Sequence, residues 1–155
     1  MKFDDGIPAI PLWIDGHACS GVFEEFIDVR EADGGIRYRV PQCGPAEAAV
    51  AVASARRAEP GLSADRDGRR RLLGELGGLL DQFAGDFARL LSRETGQSAE
   101  AARAEIERAV AILRQADCVE GGGGVRRLAS EKEQPLFSVA DGLARALAAG
   151  DAAIV

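Results

Sequence analysis

The chain has 155 residues, 46% hydrophobic and 28% charged, enough for a globular domain with a real core. Its 25 acidic and 19 basic side chains leave a net charge of −6, which argues against a nucleic-acid surface. One histidine and three widely spaced cysteines argue against a disulfide framework and a Cys/His metal site, and no apolar run has membrane-span length.

Leu12 to Cys19 carries Asp15-Gly16 between apolar residues, which predicts a tight type I′ hairpin because both turn residues tolerate positive φ. Val22 to Val29 and Ile36 to Val40 are two further strand candidates, separated by Asp33-Gly34-Gly35. Pro45 suits the first position of a helix that continues through Ala58. Asp65 is placed to cap a helix through Arg69 to Leu80, with Leu72, Leu73, Leu76, Leu79 and Leu80 as its stripe. Gly74, Gly77 and Gly78 each weaken that helix by about 1 kcal/mol relative to alanine and suggest either close packing against a neighbour or simple degeneration.

A third helix is expected from Asp81 to Thr95, stopped by Gly96. Ser98 caps a fourth, running to about Ala116 with Ile106, Val110 and Leu113 on one face. The glycines Gly121 to Gly124 precede a strand candidate, Val125 to Ala129, so they read as a flexible connector instead of a phosphate cradle. Leu136, Val139, Ala140, Leu143 and Leu147 recur at helical spacing, and Gly150 is a left-handed stop before the strand Ala152 to Val155. Such a strand-helix-strand unit belongs in a larger parallel sheet covered on both faces. The fold class expected is α/β: strands over 1–44, helices over 45–117, and a connector with a partial sheet unit over 118–155.

Most of the charged groups read as solvated faces. These include Arg69-Arg70-Arg71, Glu24-Glu25, Glu100, Glu105 and Glu107, while His17 reads as a surface side chain beyond a turn. Glu94-Thr95-Gly96 reads as a helix end, with the threonine serving the last carbonyls.

The order of these motifs resembles the N-terminal part of the aldehyde dehydrogenase superfamily. Ile14-Asp15-Gly16 is similar to that family's opening hairpin, and Ala48 to Ala58 to its alanine-rich helix. Gly68 to Leu76, Glu94 to Gln97 and Ala104 to Ala109 match the next segments in order. Ala146 to Val155 looks like the run that leads into the family's Lys-Pro-Ser cofactor motif. The resemblance implies NAD or NADP as cofactor and aldehyde oxidation through a thiohemiacetal and a thioester. It places Ser130, Glu131, Lys132 and Glu133 in the loop that lines the cofactor.

Departures from the family pattern shape the functional expectation. The family's nucleophilic cysteine and general-base glutamate lie downstream of the segment that the chain matches, so no catalytic residue is assigned. Cys19, Cys43 and Cys118 do not fall at the nucleophile position. Aligning Pro135 with the family's Asn-Phe-Pro junction puts Glu133 where an oxyanion-stabilising amide is expected, and a carboxylate there would repel developing negative charge. The expectation is a dehydrogenase-like segment, silent alone, completed by a second chain or by another copy that finishes the sheet. The alternative is a non-enzymatic interaction or regulatory subunit pairing through that sheet edge. Neither nucleic acid, membrane nor metal is expected as a partner, and the absence of a signal-peptide pattern points to the cytoplasm.

Overall fold

A computed structural model describes residues 5–19 and 25–155, and the strand candidate's residues Val22 to Glu24 lie outside them. The described residues form two compact units, divided between Ser54 and Ala55.

The first unit is built from antiparallel hairpins. Strands β1 (Leu12–Ile14) and β2 (His17–Cys19) pair around Asp15 and Gly16, whose φ values of 57° and 72° make the expected turn. Strands β3 (Phe26–Arg30) and β4 (Ile36–Pro41) pair with an irregularity at Val29/Arg30. Arg39 on β4 ties the unit together. Its guanidinium bonds Asp5 and Asp28, while its backbone exchanges hydrogen bonds with Pro8 and Ile10. The arginine hydrogen bonds hold the Asp5 carboxyl below its ordinary value.

Helix α1 (Pro45–Ala64) is longer than the sequence suggested and runs through Pro60 to Ala64. Its start is fixed by Glu47, whose carboxylate accepts the Gly44 N–H at 2.8 Å, half of a capping box. Its end is fixed from outside the helix, because Arg69 takes the Leu62 and Ser63 carbonyls. Helices α2 (Arg66–Gln82), α3 (Ala84–Thr95) and α4 (Ala99–Gln115) follow. The expected caps are in place. Asp65 accepts from Gly68 N, Ser98 accepts from Ala101 N, and Gly96 closes α3 at φ 74°. Thr95 donates its hydroxyl proton to the Leu91 carbonyl at 2.7 Å.

Helix α4 is the centre of the second unit, packed against α2, α3 and α5 (Pro135–Ala148). Leu73, Leu80, Leu91, Ile106, Val110, Leu113 and Leu147 are among the residues of its core. Of Gly74, Gly77 and Gly78 only Gly77 packs closely, since a Cβ there would come within 2.9 Å of Arg114 Cγ. Strands β5 (Val125–Arg127) and β6 (Ala152–Ile154) pair in parallel on either side of α5, which ends in a Schellman motif. There Gly150, at φ 87°, donates to Leu147 O and Asp151 N donates to Ala146 O.

The glycine run is a packed strap, contrary to the expectation of a loose connector. Gly121, Gly122 and Gly123 all have positive φ, and Gly122 lies so close to Ala149 O that no Cβ would fit. Ser63 Oγ donates to Gly122 O at 2.7 Å. Gly122 and Gly123 permit the close approach, Gly122 to Ala149 at the end of α5 and Gly123 to Glu59 on α1.

Candidate functional site

The β5-to-α5 junction is where a nucleotide-binding sheet unit would meet its ligand, at the carboxyl end of a strand. The loop residues Ser130, Glu131, Lys132 and Glu133 are all exposed there. Ser138, one turn into α5, fastens the loop, because its Oγ accepts the Glu131 N–H at 2.9 Å and donates to Pro135 O. The four expected residues therefore form one short surface segment at the entrance to α5.

What holds that entrance lies elsewhere in the chain. Gln134, at the capping position of α5, offers no side-chain bond to the helix. Instead Glu105 of α4, only 1% exposed, reaches across. Its Oε1 accepts the N–H groups of Leu136 at 2.8 Å and Phe137 at 3.0 Å. Gln97 donates to its other oxygen at 3.1 Å. A carboxylate against the positive end of a helix is stabilised by both hydrogen bonds and the dipole. The expectation that Glu105 lies on a solvated face is thus corrected. Its carboxylate is consumed by an internal cap that no local pattern announces. Arg108 adds a cation–π contact to the same turn, 4.9 Å from the centre of the Phe137 ring.

Arg69 corrects the reading of the arginine run in the same way. Arg70 and Arg71 are exposed, but Arg69 is 1% exposed and donates to Leu62 O, Ser63 O and Val119 O. It is a clamp between the end of α1 and the segment that leads into β5. Its Nε is buried without a partner.

This arrangement limits what the junction can hold. A dinucleotide's pyrophosphate takes unpaired N–H groups at a helix N-terminus, usually with a glycine-rich turn. At α5 two of those N–H groups already face a carboxylate, and the loop before it carries two acids and one lysine. The first turn of α5 therefore does not fit a pyrophosphate. Ser130 and Lys132 carry the loop's side-chain hydrogen-bond donors.

Catalytic groups are sparse. Cys118 is completely buried, and the sulfurs of Cys19 and Cys43 lie 3.8 Å from the carbonyl oxygens of His17 and Pro41. His17 is exposed on β2. Among the described residues, no group of three His, Cys, Asp or Glu side chains is placed to hold a metal ion, and no helix is long and apolar enough to cross a membrane.

Known proteins place this architecture. Solved structures superpose on nearly the whole chain. An NADP-dependent enzyme of E. coli does so with a TM-score of 0.84 and 24% identity, over 99% of this chain and 37% of that one. Lactaldehyde dehydrogenase of Escherichia coli follows with a TM-score of 0.85 and 20% identity, over 95% of this chain and 36% of that one. Aldehyde dehydrogenase C of Pseudomonas syringae, solved with NAD+ and octanal, gives 0.81 and 26% over 91% and 33%. The chain spans about a third of the length of these relatives. No curated protein sequence matches it significantly. The aldehyde dehydrogenase family model matches residues 19–121, about two thirds of the sequence, and the chain belongs to that family.

Proposed function

We propose that the chain is the N-terminal segment of an aldehyde-dehydrogenase-fold enzyme, a segment that is catalytically silent by itself. The observation that carries this reading is the state of the three cysteines. A catalytic thiolate needs a base, a cation or a helix dipole to lower its pKa. Here one thiol is sealed in the core and the other two lie against backbone carbonyls. The family's reaction is the NAD(P)-dependent oxidation of an aldehyde to a carboxylic acid. In the completed enzyme Ser130, Glu131, Lys132 and Glu133 would form part of the cofactor's wall, away from its pyrophosphate. Three free cysteines favour a reducing compartment such as the cytoplasm.

Calorimetric titration with NAD+ and NADP+ tests the reading. The isolated chain is expected to give no saturable heat, and micromolar binding of either dinucleotide by this chain alone would overturn the claim of an incomplete site.

A second reading, a non-enzymatic interaction subunit, draws on the β5–β6 sheet. Among the described residues it has two strands, in parallel pairing, an arrangement that ordinarily lies inside a larger covered sheet. A partner that lacks all dehydrogenase sequence would favour this reading over the first.

A further inference from the structure

A continuous run of hydrogen bonds joins the turn after α3 to the loop at the entrance of α5. Thr95 Oγ1, bound to the Leu91 carbonyl, accepts the Gln97 N–H at 3.3 Å. The Gln97 side-chain amide donates to Glu105 Oε2 at 3.1 Å, and Glu105 Oε1 accepts the N–H groups of Leu136 and Phe137. The next residue, Ser138, holds the Glu131 N–H on its Oγ. Gln97 and Glu131 thus stand at opposite ends of one bonded route.

We propose that Gln97 and Glu105 are positioning residues for the loop Ser130–Glu133, acting through the first turn of α5 and Ser138. This rests on the reading of that loop as part of the cofactor's wall. Three observations carry it. All four loop residues are exposed, and among the described residues the Ser138 bond is the one hydrogen bond that ties them to α5. Where the loop stands therefore follows where that turn stands. The turn has no cap of its own. Gln134 makes no side-chain bond and Pro135 has no N–H, so Leu136 and Phe137 carry the turn's first donors. Their shared acceptor comes from α4, on a residue only 1% exposed. The Gln97 bond occupies the carboxylate's other oxygen, so the plane of the group is held at both ends. Without Gln97 the carboxylate is free to turn about its last side-chain bond, and Oε1 leaves the line of the two N–H groups. A side chain that only filled space in the core would need neither oxygen bonded. Held in this way, the Ser130 hydroxyl and the Lys132 ammonium keep one place before a cofactor arrives. Less ordering is then left to the binding step.

The test is amide hydrogen exchange by NMR on the full chain, with no dinucleotide added. Gln97→Ala should quicken exchange at Glu131 about fivefold, along with exchange at Leu136 and Phe137. An unchanged rate at Glu131 would overturn the proposal. Glu105→Gln keeps an acceptor for the two N–H groups, and the Gln97 amide can turn to accept from the new NH2 group. That variant should be less stable in urea yet leave Glu131 at the parent rate. An equal rise at Glu131 in both variants would show that the loop follows overall stability, and would overturn the route. In a Ser138→Ala background, Gln97→Ala should still quicken Phe137 but no longer Glu131. A further rise at Glu131 there would overturn the part given to Ser138. Dinucleotide binding by the parent chain would sink the incomplete-site reading and leave these rates as they are, so the two claims fail separately.

Discussion

The carboxylate of Glu105 on α4 accepts the backbone N–H of Leu136 on α5 at 2.8 Å, joining two helices 31 residues apart in sequence. The same oxygen accepts Phe137 N–H, so a single buried acid replaces the cap that Gln134 does not provide. Glu105→Ala removes both bonds and leaves two half-buried donors without their acceptor, which should cost about 2–3 kcal/mol. Glu105→Gln keeps an acceptor but loses the charge, and should cost about half as much. Urea denaturation measures the loss, and amide exchange at Leu136 and Phe137 should accelerate more than exchange in α3.

Arg69 predicts a contrast within one run of three arginines. Arg69→Met deletes the clamp on Leu62, Ser63 and Val119 carbonyls and should destabilise the chain by about 2–4 kcal/mol. Arg70→Met, at an exposed position, should stay within about 0.5 kcal/mol of the parent. Equal midpoints for the two variants in denaturant would show that the clamp carries no net stability.

These two residues also mark the limit of what the sequence discloses. The Asp15-Gly16 turn, the caps at Asp65 and Ser98, and the stops at Gly96 and Gly150 are legible because each depends on neighbours within a few positions. Glu105 and Arg69 look like ordinary surface charges because their partners are up to 32 and 50 residues away. A charge at helical spacing does not reveal whether a distant carbonyl or N–H will meet it. The loop Ser130 to Glu133 was legible only through family resemblance, and its anchor Ser138 carries no signal beyond a serine near a helix start. Helix α1 ran past Pro60 because Arg69 serves its last carbonyls, which again is a tertiary fact.

The glycine strap separates conformational strain from crowding. At Gly121 (φ 77°) a Cβ meets nothing, so Gly121→Ala should cost only the left-handed penalty of about 1 kcal/mol. At Gly122 (φ 85°) the same change adds an overlap with Ala149 O and should cost at least about 2 kcal/mol more. Thermal melts of the two variants side by side give the difference.

The Asp5–Arg39 pair sets a pH response in the first unit. The pair lowers the folded-state pKa of Asp5 from 3.8, so its contribution is present above that value and is lost as pH falls through the depressed folded value. A carboxyl carbon titration by NMR should place the Asp5 midpoint below 3.8, and Arg39→Ala should return it toward 3.8. An unchanged midpoint in the variant would show that the arginine is not the cause.

We propose that this chain has the fold of an aldehyde dehydrogenase segment without its chemistry. The direct measurement is formation of NADH or NADPH by the purified chain, supplied with a panel of aliphatic and aromatic aldehydes and either dinucleotide. The account predicts a rate equal to that of buffer. A rate above buffer that disappears when Cys19, Cys43 or Cys118 is replaced by alanine would contradict it.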